Sequence, residues 1–506
     1  MRVRTGFRLV VLAAVCGLGG AVAQLGCGAI LGLEDTTLRD GEGGAQGPDD
    51  GQASGPLVVQ LTQGWVDADG GYTRTAPMSG RRFRSETSAG PLEPRQVEVL
   101  VRTDAGLAGP FYPSPTTSSD GLRFEVLPDG ERYVQLYDHE IASKVYIVHG
   151  NHIDMGSDDF GRSDAAMTAA GTTVHIAPYK PTDAGVSDDR LSGSANVILH
   201  DAGRSAWNAT FESGDPLLDL TRGDVAWVTR KAMDLSASNF EVCGFLPDYR
   251  MNSGGGPDVV IPCTTVTTQH LALTANPSDF SSAVPTNHAL PHVAASIDVA
   301  PGAGAFDLTA DDVANNLDTS AKPLQIDLRN PAPASWSLLA RVNAQFAGTS
   351  TLSDGGSTVG GTMSVTTNVV SGTAITVRPM LGAVRGVTIG GKDVLNHGFL
   401  SALGPEPIVV AVTPAVADPS LVAPTSYQID VAEDGYEDKN SAAYSTVSRI
   451  VSNNPEVALP PGLLTKGHEY HLEVTARFAT HYSEEEPRRG GVPSSSITTI
   501  TNRFTP

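Results

Sequence analysis

The chain has 506 residues, 56 of them acidic and 34 basic, for a formal charge of −22 at neutral pH. That balance argues against nucleic acid or an anionic membrane surface as a ligand, since both reward clustered Lys and Arg. With 54 Gly, 34 Pro and no long amphipathic helical pattern, the composition points to strands and turns, and the length to roughly three or four domains.

The first element is a charge-grease-small sequence. Arg2, Arg4 and Arg8 precede an apolar run from Leu9 to Ala23, followed by Gln24-Leu25-Gly26-Cys27. The run is about fifteen residues, short of the ~20 that span a bilayer as a helix, which suits a cleaved export signal. A polar face, which a buried first helix of a cytosolic protein needs, is missing. Cleavage after Ala23 releases the chain as a secreted or periplasmic protein. Cleavage after Gly26 makes Cys27 the first residue, and this context resembles the lipobox of bacterial lipoproteins, in which that cysteine is lipidated. Gln24 stands where the family has a branched aliphatic residue; Leu25 and Gly26 fit. Lipoprotein sorting commonly keeps chains with Asp after the cysteine in the inner membrane. Gly28 sits there, so the resemblance implies the outer membrane or cell surface. The signal removed, 31 basic residues face 56 acidic ones, a formal charge of −25.

From Asp40 to Pro56 the sequence DGEGGAQGPDDGQASGP carries no aliphatic residue larger than Ala. It cannot bury enough apolar surface to offset the entropy of ordering, so residues 27–56 read as a flexible acidic tether. About thirty coil residues reach roughly 30 Å, enough to hold a body clear of lipid headgroups.

Four body segments follow. In 57–154, Val97, Val99 and Val101 alternate as a half-buried strand should, and Leu122, Phe124 and Val126 repeat the pattern. Pro128-Asp129-Gly130 then reads as a hairpin turn into Tyr133–Tyr137, with Val145–Val148 as a further strand. The segment reads as a small antiparallel sandwich. Segment 155–278 has strand candidates at Val174–Ile176, Val197–Leu199, Val225–Val228 and Leu271–Leu273. Segment 279–393 contains one expected helix, with Thr309 as cap, Asp311 and Asp312 at its positive end, and Val313 and Leu317 sharing a face. Strands resume at Leu324–Leu328, Ser337–Phe346 and Met363–Val370, and the Gly and Ser cluster between Gly348 and Gly361 reads as a long loop or hairpin tip.

Segment 404–504 carries the clearest motif. Leu464, Gly467 and Tyr470 lie six, three and zero places from a tyrosine that opens the alternation Leu472, Val474, Ala476. This pattern resembles the tyrosine corner of fibronectin type III domains, where the ring fills the sandwich corner and the hydroxyl bonds upstream backbone. Tyr427, Ile429 and Val431 fit the preceding central strand, while Val412 stands where the family usually has a tryptophan. The fold expected is therefore all-β, a series of antiparallel β-sandwich domains ending in a fibronectin type III-like one.

Candidate chemistry is sparse. Cys243 and Cys263 are the pair left in the exported body, and they read as one disulfide closing a Gly-rich loop, worth about 3 kcal/mol in the chain-entropy picture. His149-Gly150-Asn151-His152 superficially resembles the Gly-Asn-His motif of metallophosphoesterases, but that family's following acid and upstream Asp-x-His are missing. A polar strand-to-loop turn explains the four residues better. Asp154, Asp158 and Asp159, with Asp164, offer carboxylates to calcium; a solvated loop is the alternative. Asp67-Ala68-Asp69-Gly70-Gly71 lacks the later ligands of a calcium loop and reads as a turn. His288 and His292 have helical zinc spacing, yet Pro285 and Pro291 oppose the helix, leaving loop histidines. Trp65, Trp207, Trp227 and Trp336 are core candidates or a sugar platform. No cofactor is implied beyond that calcium.

The leading expectation is an exported, lipid-anchored envelope protein whose sandwiches bind an envelope glycan or protein, or act as structural or adhesive modules. The rival is a secreted, glycan-directed hydrolase with an accessory C-terminal sandwich. Two convergent carboxylates in a cleft would mark that rival, since glycoside hydrolysis turns on their spatial separation.

Overall fold

The computed structural model describes residues 55–60, 62–66, 72–75, 97–114, 121–136, 143–160, 172–177, 186–193, 198–200, 207–211, 219–222, 226–232, 240–245, 259–260, 268–284, 289–300, 311–318, 324–329, 336–352, 355–369, 373–395, 398–401, 403–404, 407–414, 421–438, 441–487 and 490–506. The fold is all-β. Among the described residues, helix is confined to Pro277–Ala283 and a 3-10 turn at Leu220–Arg222.

The C-terminal part is a sandwich. One sheet contains Lys392–Asp393, Gly386–Ile389, Val409–Thr413 and Glu456–Ala458, in that order. Facing it, Ser441–Ser452, Ser426–Asp438, Tyr470–Thr480 and Gly491–Ile500 lie side by side in antiparallel register. Alternation puts Tyr427, Ile429, Val431, Leu472, Val474 and Ala476 inward against Val387, Ile389, Val410, Val412 and Val457, all buried in one cluster. At its corner the Tyr470 ring is fully buried and stacks on Phe504 with centroids 6.1 Å apart. The Thr465 N–H donates to the Tyr470 hydroxyl at 3.0 Å, and that hydroxyl donates to Glu433 at 3.2 Å. Gly467, at φ +88, supplies the left-handed turn that brings the chain back to the tyrosine. Tyr470 thus performs the role that its spacing implies.

This second sheet continues beyond the sandwich on both sides. Past Gly491–Ile500 come Gly355–Val369, Ser337–Leu352, Ala289–Ala300 and Asp311–Asp318. Past Ser441–Ser452 comes Lys144–Val148, paired in parallel with Arg449–Val451, and then Glu131–Leu136, Val97–Thr103 and Gly106–Phe111. Val97–Thr103, Glu131–Leu136 and Lys144–Val148 are therefore covered on both faces. Leu100, Tyr133, Val145 and Ile147 join the C-terminal core, while Val97, Val99, Val101, Val134, Leu136 and Val148 form a second core beneath Leu57–Gln60, Leu122–Phe124 and His152–Asp154.

In three places the structure departs from the sequence pattern. Val97–Val101 is buried on both faces rather than half-buried, because a core lies on each side. Pro128-Asp129-Gly130 does not close a hairpin: Leu122–Phe124 pairs with Leu57–Gln60, and Glu131–Leu136 pairs with Val97–Thr103 and Lys144–Val148. Gly130 is still required, since a Cβ there would lie 2.2 Å from the Arg102 carbonyl oxygen. The helix expected after Thr309 is instead the strand Asp311–Asp318, paired with Ala289–Ala300. Val313 and Leu317 are four apart, a spacing that shares a face in a strand as well as in a helix, and pairing with a long neighbour decides between them. Of the two readings of the cluster from Gly348 to Gly361, the hairpin tip is the one observed: it closes the hairpin Ser337–Leu352 and Gly355–Val369, which keeps continuous register to Leu352↔Gly355.

Candidate functional site

Among the described residues of the N-terminal part, polar contacts gather at the seat of the first strand. Leu57–Gln60 lies between two neighbours, antiparallel to Leu122–Phe124 and parallel to His152–Asp154. The Val58 N–H donates to the Asn151 carbonyl at 2.9 Å and the Met155 N–H to the Gln60 carbonyl at 2.9 Å. Leu57 and Val59 point into the second core with Phe124, Ile153 and Met155, each burial contributing about 1.5–3 kcal/mol. Beyond Thr62 the two chains stay side by side, Gln63–Val66 running parallel to Ser157–Phe160.

Asp154 ties the middle of this ribbon. Its carboxylate is buried and accepts the Thr62 N–H and the Gly156 N–H, both at 2.9 Å, through Oδ1. Its Oδ2 accepts the Thr62 hydroxyl. A buried carboxylate must have such donors, because desolvating it without them costs several kcal/mol. Gly156 lets the backbones close: a Cβ at this position would lie 1.8 Å from the Thr62 carbonyl oxygen. The residue read as a calcium candidate is thus occupied by protein donors. Asp158 and Asp159 sit in the adjacent strand Ser157–Phe160 opposite Gly64 and Trp65, and Asp164 lies outside the described residues. Among the described residues no group of three His, Cys, Asp or Glu side chains is arranged to hold a metal.

Arg132 holds the entrance. Its side chain is fully buried, and its guanidinium donates to the Gly150 carbonyl at 3.0 Å, the Asn151 side-chain oxygen at 2.7 Å and the Gly55 carbonyl at 3.0 Å. The planar fork suits this task, since divergent N–H groups reach three acceptors at once. The His152 ring lies 3.0 Å from the Gln60 side-chain oxygen. The His149–His152 stretch is therefore a strand-to-strand turn stapled to the point where the N-terminal segment enters the body.

His149 connects the seat to the C-terminal sandwich. Its Nδ1 lies 2.8 Å from Glu484 and its Nε2 3.5 Å from Glu131. Bonds to Glu131 and Glu484 hold the imidazolium, raising its pKa to about 10 against the opposing effect of burial. Burial pushes both carboxyls up, but the bonds and charge of His149 outweigh it, so Glu131 and Glu484 titrate below the usual range. Glu131 also accepts the Tyr133 hydroxyl at 2.9 Å, and that hydroxyl accepts the Ala458 N–H at 3.0 Å. Arg102 bridges to Glu456 at 2.7 Å, and the Asp154 N–H donates to the Glu485 carbonyl at 2.7 Å. Glu131 and Glu484 converge, but with an imidazolium seated between them they act as a clasp rather than an open acid–base pair.

The remaining candidates disperse. Cys27 and Cys263 lie outside the described residues, and Cys243 sits in the strand Phe240–Phe245 opposite Val228. His292 belongs to the strand Ala289–Ala300 rather than to a loop, and His288 and residues 67–71 lie outside the described residues. Trp336 is buried in the main core, while Trp65, Trp207 and Trp227 stand in strands. Arg132, Thr62, Glu131 and Glu484 are among the residues that sequence reasoning missed; none belongs to a recurring spacing. No helix among the described residues is long and apolar enough to cross a membrane.

No protein-family model matches the chain, and no curated protein matches it. Among solved structures it is similar to the chicken CNTN1 FN1-FN3 domains, at 13% identity and a TM-score of 0.13, over 67% of this chain and 97% of that chain. At that score the likeness carries no argument, and the fold rests on the strands, register and corner described above.

Proposed function

We propose that the chain is an exported envelope protein, anchored by a lipid on Cys27, whose β-sandwich body binds an envelope ligand or serves as a structural module. The observation that supports this reading most is the continuity at the N-terminus. A signal-like segment and an acidic, Gly-rich stretch lead directly into a strand whose entry point, Gly55, is fixed by a buried arginine. The body places its polar side chains in clasps between strands, at Asp154, Arg132 and His149, which suits a module that binds or spaces.

Metabolic labelling with a fatty-acid probe in a lipoprotein-competent host tests the anchor. Label on the wild type that is lost in Cys27→Ala supports it; an unlabelled wild type rejects it. A disulfide between Cys243 and Cys263 belongs to the same proposal, because an exported chain folds in an oxidising compartment. Free thiols at both positions in the oxidised, denatured protein would count against it.

A further inference from the structure

We propose that the seat of the first strand is a mechanical anchor, in which a pull on the N-terminus loads the ribbon of Leu57–Val66 and His152–Phe160 in shear and Arg132 locks the entry point. The inference rests on the tethered reading above, since an N-terminally anchored chain is pulled at this place.

The geometry carries it. A pull at Gly55 draws Leu57–Gln60 backwards along its own axis. The hydrogen bonds to Leu122–Phe124 on one side and His152–Asp154 on the other lie across that axis, so they share the load and must fail together. Peeling a strand sideways would break the same bonds one at a time. Slippage is also blocked. A shift of one residue would turn Leu57 and Val59 out of the second core and bring the Gln60 amide into it. It would also pull the Thr62 N–H and hydroxyl from the buried Asp154 carboxylate, which water cannot solvate until the seat has opened.

Arg132 stands where force arrives first. Moving Gly55 away breaks a charge-assisted bond to a buried guanidinium that Gly150 and Asn151 hold from the body side. The reaction force has a route onward: the Asp154 N–H is bonded to the Glu485 carbonyl, and His149 is held by Glu484. Both acceptors belong to the connection between two central strands of the C-terminal sandwich.

Single-molecule force spectroscopy on the whole, unlipidated chain tests this, with one handle at the N-terminus and a bioorthogonal handle replacing Tyr112, which is 62% exposed. Rupture of the seat frees about 40 residues between position 57 and Val97, where the strand Val97–Thr103 still holds the large sheet, a contour gain of about 140 Å. The expected result is one cooperative step of that size. Under a fixed load, Arg132→Met should rupture about ten- to a hundredfold faster, the range for losing charge-assisted hydrogen bonds. Asn151→Ala, which removes one acceptor at an exposed position and so leaves folding intact, should rupture faster by a smaller factor. Stepwise peeling at low force in the wild type would overturn the proposal, as would an Asn151→Ala variant that ruptures at the wild-type rate. Because no lipid is involved, this outcome is separate from that of the labelling experiment.

Discussion

Two fully buried side chains with polar tips, Tyr470 and Arg132, anchor the two ends of this body in different ways. Tyr470 acts locally: its hydroxyl takes the N–H of Thr465, five residues upstream, and its ring closes the corner of its own sandwich. Arg132 acts at long range, joining Gly55 to the turn at Gly150 and Asn151, across 77 and 18 residues of sequence. A local constraint fixes a spacing and so leaves a motif. A long-range one fixes a place in space, and many sequences can reach it.

The comparison can be broken by substitution. Arg132→Met should cost the most, about 2–3 kcal/mol, because a fully buried side chain loses three charge-assisted bonds while their partly exposed acceptors recover some of the loss from water. Denaturant unfolding checks this, and a loss under 1 kcal/mol would return Arg132 to an ordinary packing role. Tyr470→Phe keeps the ring and removes only the hydroxyl, so about 1–2 kcal/mol should go. A larger loss than that for Arg132→Met would reverse the ranking of the two anchors.

The clasp between the two ends should contribute least, under about 1 kcal/mol, since His149 is nearly half exposed and screened by solvent. Its signature is the pH dependence. The folded pKa of His149, about 10, stands above the ordinary 6.5, so its contribution is complete below 6.5 and fades as pH climbs towards 10. Glu131 and Glu484 work in the opposite sense: their lowered values give stability present above about 4.5 and lost as pH falls through the folded pKa. The clasp is therefore strongest between about pH 4.5 and 6.5. Stability profiles of wild type and His149→Gln should converge as pH rises to 10; parallel profiles would show that His149 is not the titrating link.

Legibility followed the range of the interactions. Strands with strong alternation, such as Leu472–Ala476 and Tyr427–Val431, appear at their expected places because period two and one buried face suffice to specify them. The Asp311–Asp318 strand has the local pattern of a helix because residues four apart share a face under either period, and its partner Ala289–Ala300 lies far enough upstream to escape local pattern. At the seat, Asp154 was visible as an acid but its donors were not. Thr62 lies 92 residues away, and nothing in the local sequence marks it as a partner. The His149-Gly150-Asn151-His152 stretch was legible as the strand-to-loop turn it is, but its partners were not, because polar residues gathered at a turn look alike whether they hold a metal or a neighbouring backbone.

The seat should hold the first strand as firmly as the tyrosine corner holds the strand behind it. Amide hydrogen exchange measures it directly, because protection reports the free energy of local opening. The account predicts that the amides of Val58, Thr62 and Met155 exchange as slowly as that of Leu472 in the wild type, and that Arg132→Met accelerates the first three while leaving Leu472 the slower. Fast exchange of Val58, Thr62 and Met155 in the wild type, at the rate of an exposed tail, would contradict it.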